Sequence, residues 1–419
     1  MSDTRADTSV SGGEQAVFFN PLQPGYVDDP APHLAELREH DPVHWSLMGQ
    51  WILFGYDDVF RLLRDPAMSV DDRNVEFRQS EREDLFTAAF TEAYGRPPEP
   101  STSILVVDPP DHTRLRRLVS KAFTPSAIEA LRPRVQQMVD EILDGMAERG
   151  GGDVVAELAF PLPFDVISEM LGMPESDKDQ VAEWSSALVK TLDPVITDDE
   201  IRAAAHASKH IDDLIEDVIA WKREHPADDL LTALIEAEED GDRLSTRELR
   251  DQVRLLFVAG HETTVNLIGT GIFELMRHPD QLELLRDDRS LDADAVDELL
   301  RYVSPVQFSF RVTMRDMEFG GHTIERGHGV LTGLASANRD PAKWGPTADE
   351  LDIRREGAGQ HVSFGSGAHY CLGSSLARLE AQVAIGTFVR RFPHARIVGD
   401  AIWNGRINLR GLEHLHVEV

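Results

Sequence analysis

Apolar and polar positions change period several times along the chain, and each change marks an element. From Ala31 to Glu39 apolar residues fall at helical spacing. Two short alternating runs, Val43 to Trp45 and Trp51 to Phe54, read as strands, and a second helical pattern opens near Asp57. Residues 69–107 are charged and then Pro-rich, with weak periodicity, so they are expected to form the longest loop. Past Asp108-Pro-Pro-Asp111 a helix is expected up to Thr124-Pro125. Another opens at Ser126, where Glu129 three residues on makes a capping-box pattern.

Helical text then dominates to about residue 300. Ser245 and Glu248 repeat the capping box ahead of a long apolar stretch through Val253, Phe257, Thr264, Leu267, Gly271 and Leu275 that stops at His278-Pro279, which predicts a long, largely buried central helix. A helix from about Asp294 ends before Pro305, and alternating residues on either side of a Gly320-Gly321 turn predict hairpin strands. Residues 338–360 read as irregular. The Gly-rich run Phe364 to Gly373 leads into a last helix, with Leu376, Leu379 and Val383 on one face, that Pro393 terminates. The pattern as a whole is mainly α with a small β region and no linker.

Composition narrows the classes of function. With 41% hydrophobic and 28% charged residues, the chain can pack a core and is neither disordered nor fibrous. Asp and Glu number 74 against 42 Lys and Arg, a net charge of −32, and that field repels phosphate backbones and anionic lipid, so neither nucleic acid nor a membrane surface is an expected partner. No apolar run approaches the roughly 18 residues that cross a bilayer. Residues 1–19 lack the basic start and apolar stretch of a signal peptide and read as a disordered leader, which makes a cytoplasmic location the expectation. The single cysteine, Cys371, excludes an internal disulfide framework and any C-x-x-C metal site, in keeping with a reducing compartment.

That cysteine lies in Phe364-Gly-Ser-Gly-Ala-His-Tyr-Cys-Leu-Gly373, immediately before a helix. Helix N-terminal N–H groups favour an anion, so the Cys371 thiol is expected to have a depressed pKa, and the glycines let backbone approach a flat ligand. A buried, inert cysteine is the plain alternative. A cysteine nucleophile with His369 as base lacks an orienting third group, and a phosphate-cradling loop lacks the following Lys-Ser/Thr.

The run resembles the haem-binding signature F-G-x-G-x-H-x-C-x-G of the cytochrome P450 superfamily, with Phe364, Gly365, His369, Cys371 and Gly373 in place. The resemblance covers about residues 20–419. It implies a mainly α P450 fold in one domain over those residues, with haem b (iron protoporphyrin IX) held by the Cys371 thiolate as axial metal ligand. It further implies that Ala259-Gly260-His261-Glu262-Thr263-Thr264 corresponds to the family's A/G-G-x-D/E-T on the central helix. Thr263 and Glu262 would manage protons for dioxygen, Ala259 and Gly260 would lie against the cofactor, and Gly260 would leave room for the oxygen. The rival H-E-x-x-H zinc motif fails because Val265 stands at its second histidine.

Glu298 and Arg301 match the family's structural E-x-x-R pair, expected buried; its third partner is missing where Glu350 stands, leaving Arg339, Arg354 and Arg355 as candidates. His112, Arg116, Arg311 and His369 match positions that hold the haem propionates. On the face opposite His112 and Arg116, a basic strip of Arg114, Arg117 and Lys121 suits an acidic electron-transfer partner. Val419 ends the sequence too soon after Cys371 for a reductase domain, so ferredoxin and an NAD(P)H-dependent ferredoxin reductase are the implied external partners of a monomeric monooxygenase. By family position the substrate pocket is expected from residues 70–105, 184–192, 257–260, 303–310 and 403–407, with Phe257, Val258, Val303 and Phe308 among its walls. Their apolar content favours a mid-sized terpenoid, steroid, fatty acid or macrolide-like substrate. A haem-thiolate peroxygenase and a non-catalytic gas sensor are the alternatives; the acid–alcohol pair Glu262-Thr263 speaks against both.

Overall fold

In a computed structural model of the chain, residues 17–76, 80–121, 123–174, 178–239 and 242–419 are described; residues 1–16 of the expected leader lie outside them. Phe19, at the end of that leader, is packed: its ring meets Tyr26, Phe54 and Phe308 at centroid distances of 5.4–6.2 Å.

The axis of the structure is the helix Thr246–Arg277, which starts where the capping box predicts: Ser245 Oγ accepts from the Glu248 N–H and Glu248 accepts from the Ser245 N–H. Helices Pro161–Leu171, Asp292–Val303 and Ser374–Arg391 pack around it. Glycine lets them come close. A Cβ on Gly271 would lie 3.0 Å from Ile385 Cδ1 and 3.2 Å from a Leu299 methyl, and one on Gly260 would lie 3.4 Å from Ile167 Cγ1. At Gly271 a Cβ would crowd its neighbours, whereas at half-buried Gly260 it would meet Ile167 at ordinary van der Waals distance.

Beside this helical body stands a five-stranded sheet in the order Val43–Trp45, Trp51–Leu53, Gly329–Gly333, Phe308–Thr313, Met68–Ser69. Its Trp51 and Gly329 strands run parallel and its other pairs antiparallel. The predicted hairpin pairs Met317–Phe319 with His322–Ile324 around Gly320-Gly321.

Two expectations fail for identifiable reasons. The expected long loop contains the helix Ser80–Tyr94. Its apolar residues Leu85, Phe86, Ala89, Phe90 and Ala93 do follow a helical period and pack on Ile201 and Ala205 of the helix Asp198–Glu224, but dense charge between them hides it. Tyr94 closes the contact by bonding Ser208 and Asp212. The helix expected at Ser126 starts instead at Pro125 with Thr124 as its cap, accepting from the Ala127 N–H, while Glu129 turns outward to Arg132.

Beneath the cysteine loop, the Glu298 and Arg301 side chains are fully buried and joined by two hydrogen bonds of 2.7 and 2.8 Å. Arg301 also donates to the carbonyls of Asn338, Ala348 and Glu350. Arg355 is the third partner, its Nε 3.1 Å from Glu298 Oε1. Arg339 instead caps the Tyr302 carbonyl. Removing the only carboxylate from two buried guanidinium groups is costly, so Glu298→Gln is expected to lower unfolding free energy by about 3–5 kcal/mol. Glu129→Gln, breaking the exposed pair with Arg132, should cost under about 1 kcal/mol, with both read from urea denaturation.

Candidate active site

The loop carrying Cys371 is shaped by two left-handed glycines, Gly365 (φ +67°) and Gly367 (φ +74°). At Gly367 a Cβ would stand 2.7 Å from the Leu63 carbonyl oxygen, so only glycine lets the loop rest on the end of the helix Tyr56–Arg64. The Cys371 N–H donates to the Phe364 carbonyl at 2.9 Å, which closes the loop just before the helix Ser374–Arg391. At Gly373 a Cβ would meet nothing within 4 Å, which leaves an open cradle beside the sulfur.

The expected depression of the thiol pKa is not what the protein alone produces. Burial pushes the Cys371 thiol up, outweighing the lowering by the Gly373 and Ser374 N–H groups and by Arg116 and Arg378. A coordinated metal would reverse this, because it deprotonates a bound thiol outright.

Four groups expected to act together do converge. The rings of His112 and His369 lie 4.0 Å apart, and Arg116 donates to the Tyr370 carbonyl at 2.6 Å. Arg311 is 7% exposed and donates to Ser309 Oγ and the Phe310 carbonyl. His369 is driven down to about 3, first by burial and then by the charges of His112, Arg311 and Arg116. Among the described residues no carboxylate pairs with Arg311 or Arg116, and His112 Nε2 is buried without a hydrogen-bond partner. Desolvated cations and an orphaned imidazole nitrogen beside a sulfur and an open cradle fit a flat, dianionic ligand. A haem, with two propionates and an iron, meets that description.

Arg378 was not foreseen. It donates to Asp297 Oδ1 at 2.7 Å, lies over the Phe364 ring at 4.6 Å and so ties the cysteine loop to the helix bearing Glu298. Of the expected basic strip, Arg114 is paired with Glu248 on the central helix, while Arg117 and Lys121 are exposed.

Facing the site, the central helix bares a narrow stripe. Ala259 is exposed and Thr263 half-buried amid buried neighbours, and at 100° per residue they sit about 40° apart. Thr263 Oγ1 donates to the Ala259 carbonyl at 3.1 Å, which leaves its lone pairs to accept from a ligand. Glu262 turns sideways: Oε2 takes a 2.8 Å bond from Arg406, and Arg406 reaches Ser186 Oγ at 2.6 Å. His261 is fully buried between Phe164 and Phe257, its Nδ1–H donating to the Phe257 carbonyl and its Nε2 3.8 Å from Glu262 Oε1. Arg406 and Ser186 come from two of the segments expected at the pocket.

The four named wall residues are corrected. Phe257 projects about 200° from Ala259 and packs on Phe164 at 5.5 Å. Val258 is buried in the same cluster, Val303 in the core beneath the central helix, and Phe308 against Phe19. Each belongs to an expected segment but to its packed face.

A family model for Cytochrome P450 matches residues 79–404. The chain is 44% identical over 374 residues to "Cytochrome P450 107B1" of Saccharopolyspora erythraea, covering 88% of each protein. It is 41% identical over 417 residues to the "Vitamin D(3) 25-hydroxylase" of Pseudonocardia autotrophica, covering 98% of each. Among solved structures, the Bacillus subtilis bacillaene polyketide synthase cytochrome P450 PksS superposes with a TM-score of 0.84 at 36% identity, covering 96% of this chain and 99% of that one.

Burial holds His261 and His361 below the ordinary imidazole range, so both stay neutral in the folded protein. Unfolding lets each take a proton near its usual value of about 6.5. Their contribution is therefore complete above about pH 6.5 and is lost as the pH falls below it, because the unfolded chain binds more protons there. The urea midpoint is expected to drop between about pH 6.5 and pH 5, with a shallower slope in His361→Asn; a midpoint flat across that window would contradict the assignment.

Proposed function

Because the chain belongs to the cytochrome P450 family, we propose that it oxidises an apolar, mid-sized organic molecule with electrons delivered one at a time by a separate ferredoxin and its NAD(P)H-dependent reductase. The protein is a haem-thiolate monooxygenase that uses O2, and Cys371, its one thiol, would hold the iron of haem b as thiolate. The bound haem supplies dioxygen binding, O–O cleavage favoured by the thiolate, and insertion of one oxygen atom into carbon.

The observation that carries the residue assignments is the convergence of His112, Arg116, Arg311 and His369, without carboxylate partners, beside the Cys371 loop. In our reading these four hold the propionates by charge-assisted hydrogen bonds, Phe364, Gly365 and Gly373 shape the loop around the sulfur, and Ala259 and Gly260 bring the central helix against the opposite face. Thr263 Oγ1, its proton on the Ala259 carbonyl and its lone pairs at the bare stripe of the helix, would accept from a ligand there and pass a proton on by turning from that carbonyl. Glu262 is oriented by Arg406, which fixes where its carboxylate can order water beside Thr263. Glu298, Arg301 and Arg355 act structurally.

An apolar substrate is supported by relatives named for vitamin D(3) and for a polyketide synthase. Steroids, terpenoids, fatty acids and macrolide-like compounds form the class we assign. Among the described residues no helix is long and apolar enough to cross a membrane. We place the enzyme in the cytoplasm as a monomer, with residues 20–419 as one haem-binding domain.

Cys371→Ser is expected to abolish the red-shifted carbon-monoxide difference spectrum of the reduced protein; its survival would identify another ligand. Thr263→Ala is expected to retain haem and that spectrum but to divert most NADPH equivalents to peroxide, measured as the ratio of peroxide to NADPH consumed with added ferredoxin and reductase. Unchanged coupling would remove Thr263 from proton handling.

A further inference from the structure

The last extended segment of the chain alternates. Leu415 and Val417 point into the core, at 0% and 4% exposure, while His414, His416 and Glu418 point out. Residues His416–Glu418 pair antiparallel with Gly151–Asp153, in a register that sets His416 directly opposite Asp153. Two imidazoles two residues apart and a cross-strand carboxylate thus share one face of a small sheet.

Their geometry goes beyond proximity. One donor atom from each of Asp153, His414 and His416 lies within 4.8 Å of the others. His414 Nδ1 is 2.6 Å from Asp153 Oδ2, and the two imidazole rings are parallel within 7°. Asp153 is 8% exposed, and its Oδ1 accepts the N–H groups of Val155 and Leu415, both at 3.0 Å. Those bonds fix the carboxylate and leave Oδ2 aimed at the histidines, the kind of outer support that orients a ligand. His416 is exposed, so the site has a buried floor and an open mouth.

We propose that Asp153, His414 and His416 bind a transition-metal dication of the zinc, nickel and copper class. The metal lies between His414 Nδ1 and Asp153 Oδ2, with the neutral ring in the tautomer that keeps its one proton on Nε2, and water completes the coordination. Two imidazoles with one carboxylate suit these borderline ions and not magnesium or calcium, which take oxygen ligands. The net charge of −32 raises the local concentration of cations. None of the three residues belongs to the cysteine site, and the tie would fasten the chain's last strand to the segment leading into helix Pro161–Leu171.

Calorimetric titration of zinc chloride into chelator-treated holoenzyme tests the site. The wild-type protein is expected to take up one equivalent tightly, and His416→Ala, a change at an exposed side chain that leaves the haem spectrum intact, to weaken that uptake about tenfold or more. Copper(II) in place of zinc should give an electron-spin signal with hyperfine coupling to two imidazole nitrogens in the wild type and one in His416→Ala. Equal zinc affinity in the two proteins, absence of tight uptake in the wild type, or an unaltered copper signal in the variant overturns the proposal.

Discussion

The cysteine loop has no sheet ladder beneath it, and its position depends on one buried carboxylate. Glu298 pairs with Arg301 and Arg355 at once, and those two guanidinium groups spend their remaining donors on carbonyls of Asn338, Thr347, Ala348 and Glu350. The irregular stretch 338–360 cannot satisfy its own backbone, so charged side chains do it instead. Asn338 passes the order on: its side chain bonds the Ser304 and Ser363 hydroxyls and takes the Val362 N–H, directly ahead of Phe364. A buried ion pair is a poor source of stability compared with apolar packing, but breaking it is severe. Here it sets the position of a loop that regular secondary structure does not reach.

Above that support the protein concentrates positive charge where its overall charge is strongly negative. Arg311 and Arg116 are held by neutral carbonyls and a hydroxyl, and His369 is driven down first by burial and then by the charge of its neighbours. Such an arrangement is costly to the protein by itself, since among the described residues no carboxylate forms an ion pair with Arg311 or Arg116 and only Asp108 lies near enough to Arg311 to offset its burial. The same reasoning explains the Cys371 thiol, which burial keeps protonated despite the helix N-terminus. Both costs are relieved by one ligand that brings two carboxylates and a metal, so haem binding and folding stability are linked at these residues.

Much of this was legible in the sequence because it is local. The Cys371 loop, the capping box at Ser245, the buried Glu298–Arg301 pair and the His112–Arg116 spacing each span a few residues, and short spacing fixes a face. What was not legible depends on which side of an element meets which neighbour. Phe257 and Ala259 lie two residues apart in a motif-bearing helix, yet one is core and the other faces the site. Arg355 could not be told from Arg339 and Arg354, since the choice rests on how an irregular segment folds back over Glu298. The helix Ser80–Tyr94 was hidden because its apolar stripe leans on Ile201 and Ala205, more than a hundred residues away in the chain.

Arg406 shows why the distal side follows the same logic. Its turn lies between strands Ile402–Trp403 and Leu412–His414, far in sequence from the central helix, and no local motif announces it. Its guanidinium joins Glu262, on the central helix, to Ser186, on the helix Lys178–Val189. A charge-assisted bond at 8% exposure is strong because water competes little for either partner. Movement of the 403–407 turn or of the Ser186 helix therefore changes the partner of Glu262 directly, with no intervening residue. Arg406 thus ties the central helix, the 403–407 turn and the helix Lys178–Val189 into one hydrogen-bonded unit at Glu262.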